Sequence, residues 1–192
     1  MERRPGAYPM LSVFLGGGNM KKLHCGPWPV FFAALALGVL LHFLYGWLPN
    51  PLTALLSPVR ESLWEHLKIL FYPLLAAALF LTRGDGPGRA ARLLCLPLVC
   101  ALMLGAGWAY HIALRGEGMA FDLVLYAALM ALGFLLPRPL RPLGERAWVR
   151  SAASFLAALV WVFLAWFTFF PPEHPLFADL SGGVRTFLTI PV

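Results

Sequence analysis

Five long apolar stretches run through the chain, separated by short connectors that are basic or rich in glycine and proline. A helix needs about 20 mostly apolar residues to cross the hydrocarbon core of a bilayer. Because 60% of the residues are hydrophobic and only 12% are charged, the chain is neither an ordinary soluble domain nor a disordered one. We predict an all-α transmembrane bundle with five spans, at about residues 29–48, 57–81, 93–114, 119–136 and 151–170.

The segments on either side of this bundle are predicted to be tails. Residues 1–28 contain one apolar run that is too short to span, followed by three glycines, so we expect a largely disordered tail. Residues 29–170 form the transmembrane domain. Residues 171–192 are too rich in proline for a sixth span, and we expect them to form a second tail.

The distribution of lysine and arginine predicts the orientation, since cytoplasmic loops carry an excess of these residues. Eleven lie on the side of the membrane that also holds the N-terminus: Arg3, Arg4, Lys21, Lys22, Arg83, Arg89, Arg92, Arg138, Arg141, Arg146 and Arg150. Four lie on the other side: Arg60, Lys68, Arg115 and Arg185. We therefore expect the N-terminus inside and the C-terminus outside the cytoplasmic membrane. The same clustering accounts for the basic composition, so we expect the lipid bilayer and no nucleic acid as a partner.

Histidines and carboxylates concentrate on the outer side of this topology, and every span contributes at least one. Ionisable groups at such positions are costly unless they meet water or a partner. A bundle could gather them around one outward-open cavity that binds a ligand. The candidate binding residues are His42, Glu61, Glu65, His66, His111 and Asp122. A second group comprises Trp64, Lys68, Glu173, His174 and Asp179.

The segment from Ser57 onward leads from polar residues into the second span. Ser57 followed by proline is typical of a helix start. A helix beginning there would place Glu61, Glu65 and Lys68 on one stripe. His42 lies about one and a half turns of helix before Trp47, where water is scarce, so we expect Glu61 or Glu65 to be its partner.

Each of these residues also has an ordinary interpretation. Asp122 could cap its helix, and His111 could belong to the interfacial belt. The glutamate and lysine stripe could be a surface ion-pair ladder worth about 0.5 kcal/mol per pair. Glu61 and Glu65 have a spacing that chelates metals, and histidines could complete a zinc-like shell, but such spacing is common on helices. We predict no cofactor, and a divalent metal remains a less favoured alternative.

Three segments carry a resemblance to a known family. The run Glu61-Ser-Leu-Trp-Glu-His-Leu-Lys68, together with His42-Phe-Leu-Tyr45 and Phe170-Pro-Pro-Glu-His-Pro-Leu-Phe-Ala-Asp179, resembles a family of small bacterial multi-pass membrane proteins that is defined only as a domain of unknown function. The resemblance covers most of the chain from about residue 30. It implies an integral membrane protein and assigns no activity.

Three functions remain open from the sequence. The first is the binding or transport of a cation, a proton or a small polar solute; the small size then suggests a homo-oligomer or a partner membrane subunit. The second is a structural or regulatory protein whose polar residues hold helices together. The third is a membrane-embedded hydrolase or transferase that acts on lipid at the outer leaflet. The chain has no H-E-x-x-H, G-x-S-x-G or phosphate-loop motif, so we lean against an enzyme.

Overall fold

The computed structural model describes residues 26–181, and that part of the chain is helical without a β-strand. The spanning helices are α1 (Pro27–Trp47), α3 (Leu63–Leu81), α4 (Gly86–Gly107, continued by a π-helical segment Trp108–Ala113), α5 (Met119–Leu135) and α7 (Ala147–Phe169). The short elements are α2 (Pro51–Leu56), α6 (Pro137–Leu140) and two 3₁₀ turns, Arg141–Glu145 and Pro175–Phe177. Of the two predicted tails, residues 1–25 of the first (1–28) and residues 182–192 of the second (171–192) lie outside the described residues.

Within residues 26–181, five helices are long and apolar enough to cross a membrane, which confirms the predicted all-α architecture with five such helices. Their outer surfaces are covered by large apolar side chains. Phe32 is 63% exposed, Phe155 66% and Trp148 67%. A soluble monomer rarely exposes so much contiguous apolar surface, whereas lipid tails solvate it. The protein is therefore a multi-pass membrane protein.

Helix α3 lies at the centre of the bundle and packs against α1, α4, α5 and α7. Its contact with α1 is close at Gly38, where an added Cβ would lie 2.6 Å from the carbonyl oxygen of Ile69 and would clash with the hydroxyl of Tyr126. That hydroxyl donates a hydrogen bond to the Leu35 carbonyl at 3.1 Å. Small residues allow helix backbones to approach in this way in membranes. The contact holds the middle of α1 against the first half of α3.

The predicted helix start at Ser57 is wrong, because that serine ends α2 and the next helix begins at Leu63. The Ser57 hydroxyl accepts a hydrogen bond from the Tyr45 amide and donates one to the Leu41 carbonyl, so it is bound to α1. Ser62 is the N-cap instead, and its hydroxyl accepts from the Glu65 amide at 3.3 Å. The intervening residues 57–62 are not helical. Glu61 therefore precedes the helix and does not share a helical stripe with Glu65.

The short connections make successive spans antiparallel, which sorts the loops into two ends. Residues 82–85 and 136–146 lie together at one end, where Arg141 pairs with Asp85 at 3.1 Å. Residues 48–62, 114–118 and 170–181 lie at the opposite end, which we call the histidine end. There the Leu180 amide donates to the Glu61 carbonyl at 2.8 Å.

Candidate functional site

The first group at the histidine end consists of His42, Glu61 and His66, which we call the triad. His42 comes from the last turns of α1, Glu61 from the non-helical segment and His66 from the first turn of α3. His66 Nε2 lies 3.1 Å from Glu61 Oε2, and His42 Nε2 lies 3.9 Å from Glu61 Oε1. One ligand atom from each residue lies within 4.8 Å of the other two. Of the two partners expected for His42, the structure supplies Glu61.

The orientation of the His66 ring is fixed by backbone. Its Nδ1 lies 2.8 Å from the Ser62 carbonyl oxygen, which can only accept a hydrogen bond. The proton therefore sits on Nδ1, which leaves Nε2 directed at the Glu61 carboxylate. Ser62 thus serves twice, because its hydroxyl caps α3 and its carbonyl orients the histidine.

The second group is the pair of His111 from the π-helical end of α4 and Asp122 from the first turn of α5. His111 Nε2 lies 2.7 Å from Asp122 Oδ1, and His111 Nδ1 lies 2.9 Å from the Gly116 carbonyl oxygen. Short π-helical segments occur frequently at functional sites. Asp122 is half exposed, whereas the His111 side chain is only 11% exposed.

The turn after α4 places the Gly116 carbonyl. Arg115 has φ +56°, in the left-handed region that few non-glycine residues adopt. The Gly116 amide donates to the Tyr110 carbonyl at 2.8 Å, and the Tyr110 ring stacks on Phe121 with centroids 3.8 Å apart. That ring covers Gly116 so closely that no side chain fits there. The aromatic stack therefore fixes the carbonyl that His111 faces.

His66 and His111 share one hydrogen-bonding arrangement. In each ring one nitrogen faces a backbone carbonyl and the other faces a carboxylate. A neutral imidazole has one donor and one acceptor nitrogen, so it would direct a lone pair at a carboxylate oxygen. A proton or a metal ion between nitrogen and oxygen removes that conflict. Both positions thus favour a positive charge.

The two groups lie near each other, because α3 packs against α5 and Asp122 is within electrostatic range of His66. The Glu61 carboxyl group lies outside the spanning helices, and 49% of the Glu61 side chain is exposed. The hydrogen bond from His66 holds the pKa of Glu61 below its usual value. Partial burial opposes this effect, while the nearby charges of His66 and His42 add to the lowering of that pKa. The Glu61 carboxyl group is therefore ionised at neutral pH.

Glu65 and Lys68 have a different environment from the one expected. Both are buried, with relative exposures of 1% and 0%. Lys68 Nζ donates to Glu65 Oε2 at 2.7 Å, to the Ala54 carbonyl at 2.6 Å and to the Ser57 carbonyl at 3.1 Å, so all three ammonium protons have acceptors. Glu65 also accepts from the Val59 amide at 3.1 Å. The ion pairs of the described residues place Glu65 with Lys68 and not with a histidine, and the expected surface stripe is instead an internal network.

The remaining candidates make local contacts. Trp64 packs between Phe167 and Phe177, with ring centroids 5.2 and 5.0 Å away, so it holds the tail segment on the bundle. His174 Nδ1 accepts from the Leu176 amide, and Asp179 accepts from the amide and hydroxyl of Ser181. Glu173 is exposed. These contacts are typical of turns.

Sequence reasoning missed two backbone carbonyls and one arginine. The carbonyls of Ser62 and Gly116 orient the histidines, and a carbonyl leaves no signal in residue identity. Arg60 is 7% exposed, and its Nη2 lies 3.5 Å from the Thr168 carbonyl. In the sequence, Arg60 is recognisable only as a charged residue beside an apolar stretch, which is also how Glu61 was selected.

Comparisons with known proteins add a family and no activity. No curated protein and no solved structure matches the chain. A model of a family of unknown function, DUF6512, matches residues 19–185, which is most of the chain. The five spans and the histidine end all lie within the matched region. The chain belongs to this family of unknown function.

Proposed function

We propose that the protein binds a cation, either a proton or a metal ion, at the histidine end. This binding is a step in storing that cation or transporting it across the membrane. The observation that carries this proposal is the shared environment of His66 and His111. Each ring lies between a carbonyl oxygen and a carboxylate oxygen, at distances between 2.7 and 3.1 Å. Two neutral rings have only two N–H donors for these four acceptor oxygens, so each ring needs an added proton or metal ion.

The position of the two groups supports exchange with the surrounding water. Glu61 and Asp122 are each about half exposed, while the histidines behind them are mostly covered. Charged groups that line water-accessible positions of membrane proteins often mark ion pathways. We place this end outside the cell, since the arginine-rich turns at residues 82–92 and 136–150 belong on the cytoplasmic side.

Nitrogen NMR on the full chain in lipid nanodiscs, labelled with ¹⁵N-histidine, tests cation occupancy. Ring nitrogens that are protonated, metal-bound or bare have distinct shifts, and the variants His66→Gln and His111→Gln assign the signals. At neutral pH we expect Nε2 of both rings to carry a proton or a metal. A bare Nε2 in both rings would refute the proposal.

Transport is tested with the protein in lipid vesicles that contain pH-sensitive or metal-sensitive dyes. We expect cation flux above that of empty vesicles, and at least a tenfold loss in the double variant Glu61→Gln plus Asp122→Asn. The matched control is Glu117→Gln plus Glu173→Gln, which removes two exposed carboxylates outside both groups. Wild-type flux equal to that of empty vesicles would exclude transport, and the NMR result would then decide binding alone.

A structural role is the second candidate function, and the buried Glu65 and Lys68 network favours it. In that network all three Lys68 ammonium protons have acceptors, and its hydrogen bonds link α2, α3 and the segment between them. If the histidines served the same purpose, Glu61→Gln plus Asp122→Asn would lower the melting temperature as strongly as loss of Lys68. The cation-binding proposal expects a small change in melting temperature and a large loss of binding.

A further inference from the structure

The triad offers the number and kind of ligands that a transition metal requires. His42, Glu61 and His66 supply two imidazole nitrogens and one carboxylate oxygen, all within 4.8 Å of one another. Metal–ligand bonds of about 2.0–2.1 Å in tetrahedral geometry separate the ligand atoms by about 3.3 Å. His66 Nε2 lies 3.1 Å from Glu61 Oε2, which is close to this value. His42 Nε2 lies 3.9 Å from the other carboxylate oxygen, and the three ligand atoms lie within 4.8 Å of one another, so the His42 side chain must move inward when a metal binds.

The fold holds two of the three ligands in a binding orientation. The Ser62 carbonyl fixes the His66 proton on Nδ1, so Nε2 presents its lone pair; backbone carbonyls orient the histidines of metal sites in the same way. The main chain of Glu61 is tied to the tail by the bond from the Leu180 amide. The ligands come from two helices and an intervening segment, so the site exists only in the folded bundle.

Charge and donor type select the class of metal. Two neutral imidazoles and one carboxylate carry a net charge of −1, which a divalent cation complements. Nitrogen-rich sets favour zinc and similar transition metals, whereas magnesium and calcium prefer all-oxygen sets. Three protein ligands that remain partly exposed, with 27%, 49% and 25% of the side chains accessible for His42, Glu61 and His66, leave room for a water or a substrate atom.

We propose that His42, Glu61 and His66 form a three-ligand site for a divalent transition metal of the Zn²⁺ class, with a fourth position open to the aqueous side. The inference rests on the proposed cation-binding function and names the cation. His42 is the weakest ligand, because its Nδ1 is buried without a hydrogen-bond partner among residues 26–181. The pair of His111 and Asp122 lies outside the triad and supplies no ligand to this metal.

Zinc titration of the purified full chain in nanodiscs, with a chelating indicator as competitor, tests the site. We expect one Zn²⁺ per chain and at least a tenfold weaker binding in His66→Gln and in Glu61→Gln. The loss in His42→Gln should be smaller than in His66→Gln, since supporting hydrogen bonds change metal affinity by about 10–100-fold. The controls are His174→Gln and Glu173→Gln, which remove the same groups from an exposed turn and should bind as the wild type does.

X-ray absorption at the zinc edge of the wild-type protein gives a second readout that needs no variant. Two nitrogen ligands and one protein oxygen at about 2.0–2.1 Å are expected. Absence of stoichiometric zinc, a sulfur shell, or binding that the triad variants leave unchanged would overturn the inference. If zinc fails to bind but NMR finds both rings doubly protonated, only the metal site is refuted; if both rings are bare without zinc, the proposed function fails as well.

Discussion

At the scale of single residues, burial separates two kinds of ionisable group at the histidine end. Glu65 and Lys68 are fully buried; the three ammonium protons of Lys68 have acceptors inside the chain, and Glu65 Oε2 accepts from Lys68 and from the Val59 amide. Glu61 and Asp122 remain half exposed. Each faces a histidine ring that, in its neutral form, cannot donate hydrogen bonds to both of the acceptor oxygens beside it. The first pair stabilises the fold, and the second kind of group is available to a ligand.

Replacing Lys68 with methionine should destabilise the protein strongly, because it leaves the Glu65 carboxylate buried without its cation. Loss of one partner of a buried ion pair costs about 3–5 kcal/mol. The double variant Glu65→Gln plus Lys68→Met should recover part of that loss, since no charge stays unpaired. Thermal unfolding in detergent compares the two. A double variant that is less stable than Lys68→Met would contradict this account of the network.

Gly116→Ala should disturb His111 without touching it. An added Cβ would lie 2.6 Å from Cε1 of Tyr110, so the ring or the turn must move and carry the Gly116 carbonyl away from His111 Nδ1. Overpacking of this kind costs about 1–3 kcal/mol. The His111 ring signals in the ¹⁵N spectrum should shift. Gly105→Ala in α4 is the control, because a Cβ there meets nothing within 4 Å, and its spectrum should match the wild type.

At the scale of helices, close packing of α1 on α3 determines whether the triad forms. Gly38 and His42 are four residues apart on α1 and therefore lie on the same face. The Gly38 contact with the Ile69 carbonyl sets the distance between the two helices. Because His42 and His66 come from different helices, that distance sets the ligand separation.

Gly38→Ala should push α1 away from α3 and weaken zinc binding, although the residue contacts no ligand. We expect at least a tenfold loss of zinc affinity and a lower melting temperature. Gly46→Ala, on the same helix with no atom within 4 Å of the added Cβ, is the matched control. Equal zinc affinity in the two variants would show that the helix contact does not position His42.

At the scale of the whole molecule, the bundle has an arginine-rich end and a histidine end. The turn at residues 82–85 and the connector at 136–146 meet at the first, and the triad and the second pair lie at the other. A membrane crossing separates these ends, so the location of the site depends on the orientation of the chain.

Cysteine labelling in intact cells should locate the two ends. In a Cys25→Ser background, an impermeant maleimide should label Glu117→Cys, which lies in the exposed loop of the histidine end. Glu145→Cys lies at the arginine-rich end and should react only after lysis, because arginine-rich turns stay cytoplasmic. Cys95 and Cys100 are buried and give a low background. The reverse labelling pattern would place the site inside the cell.

The apolar stretches by themselves determined the class of the protein. Length and hydrophobicity are properties of one segment at a time, so five spanning helices could be predicted before any contact was known. The side-chain contacts that depend on where a helix begins or ends could not be predicted in this way. The helix start moved from Ser57 to Leu63 because the Ser57 hydroxyl is engaged by α1, a contact 16 residues away in sequence.

That single shift decided the site. Because α3 begins at Leu63, Glu61 lies outside the helix and beside two histidines. Glu65 and Lys68 instead face the interior, where Lys68 donates to the carbonyls of Ala54 and Ser57. The carbonyls of Ser62 and Gly116, which orient the rings, have no counterpart in residue identity. The sequence determined which ionisable groups reach the same end, because hydrophobicity fixes the spans; only the tertiary structure determined which of them meet, because hydrogen bonds and helix distances act between segments.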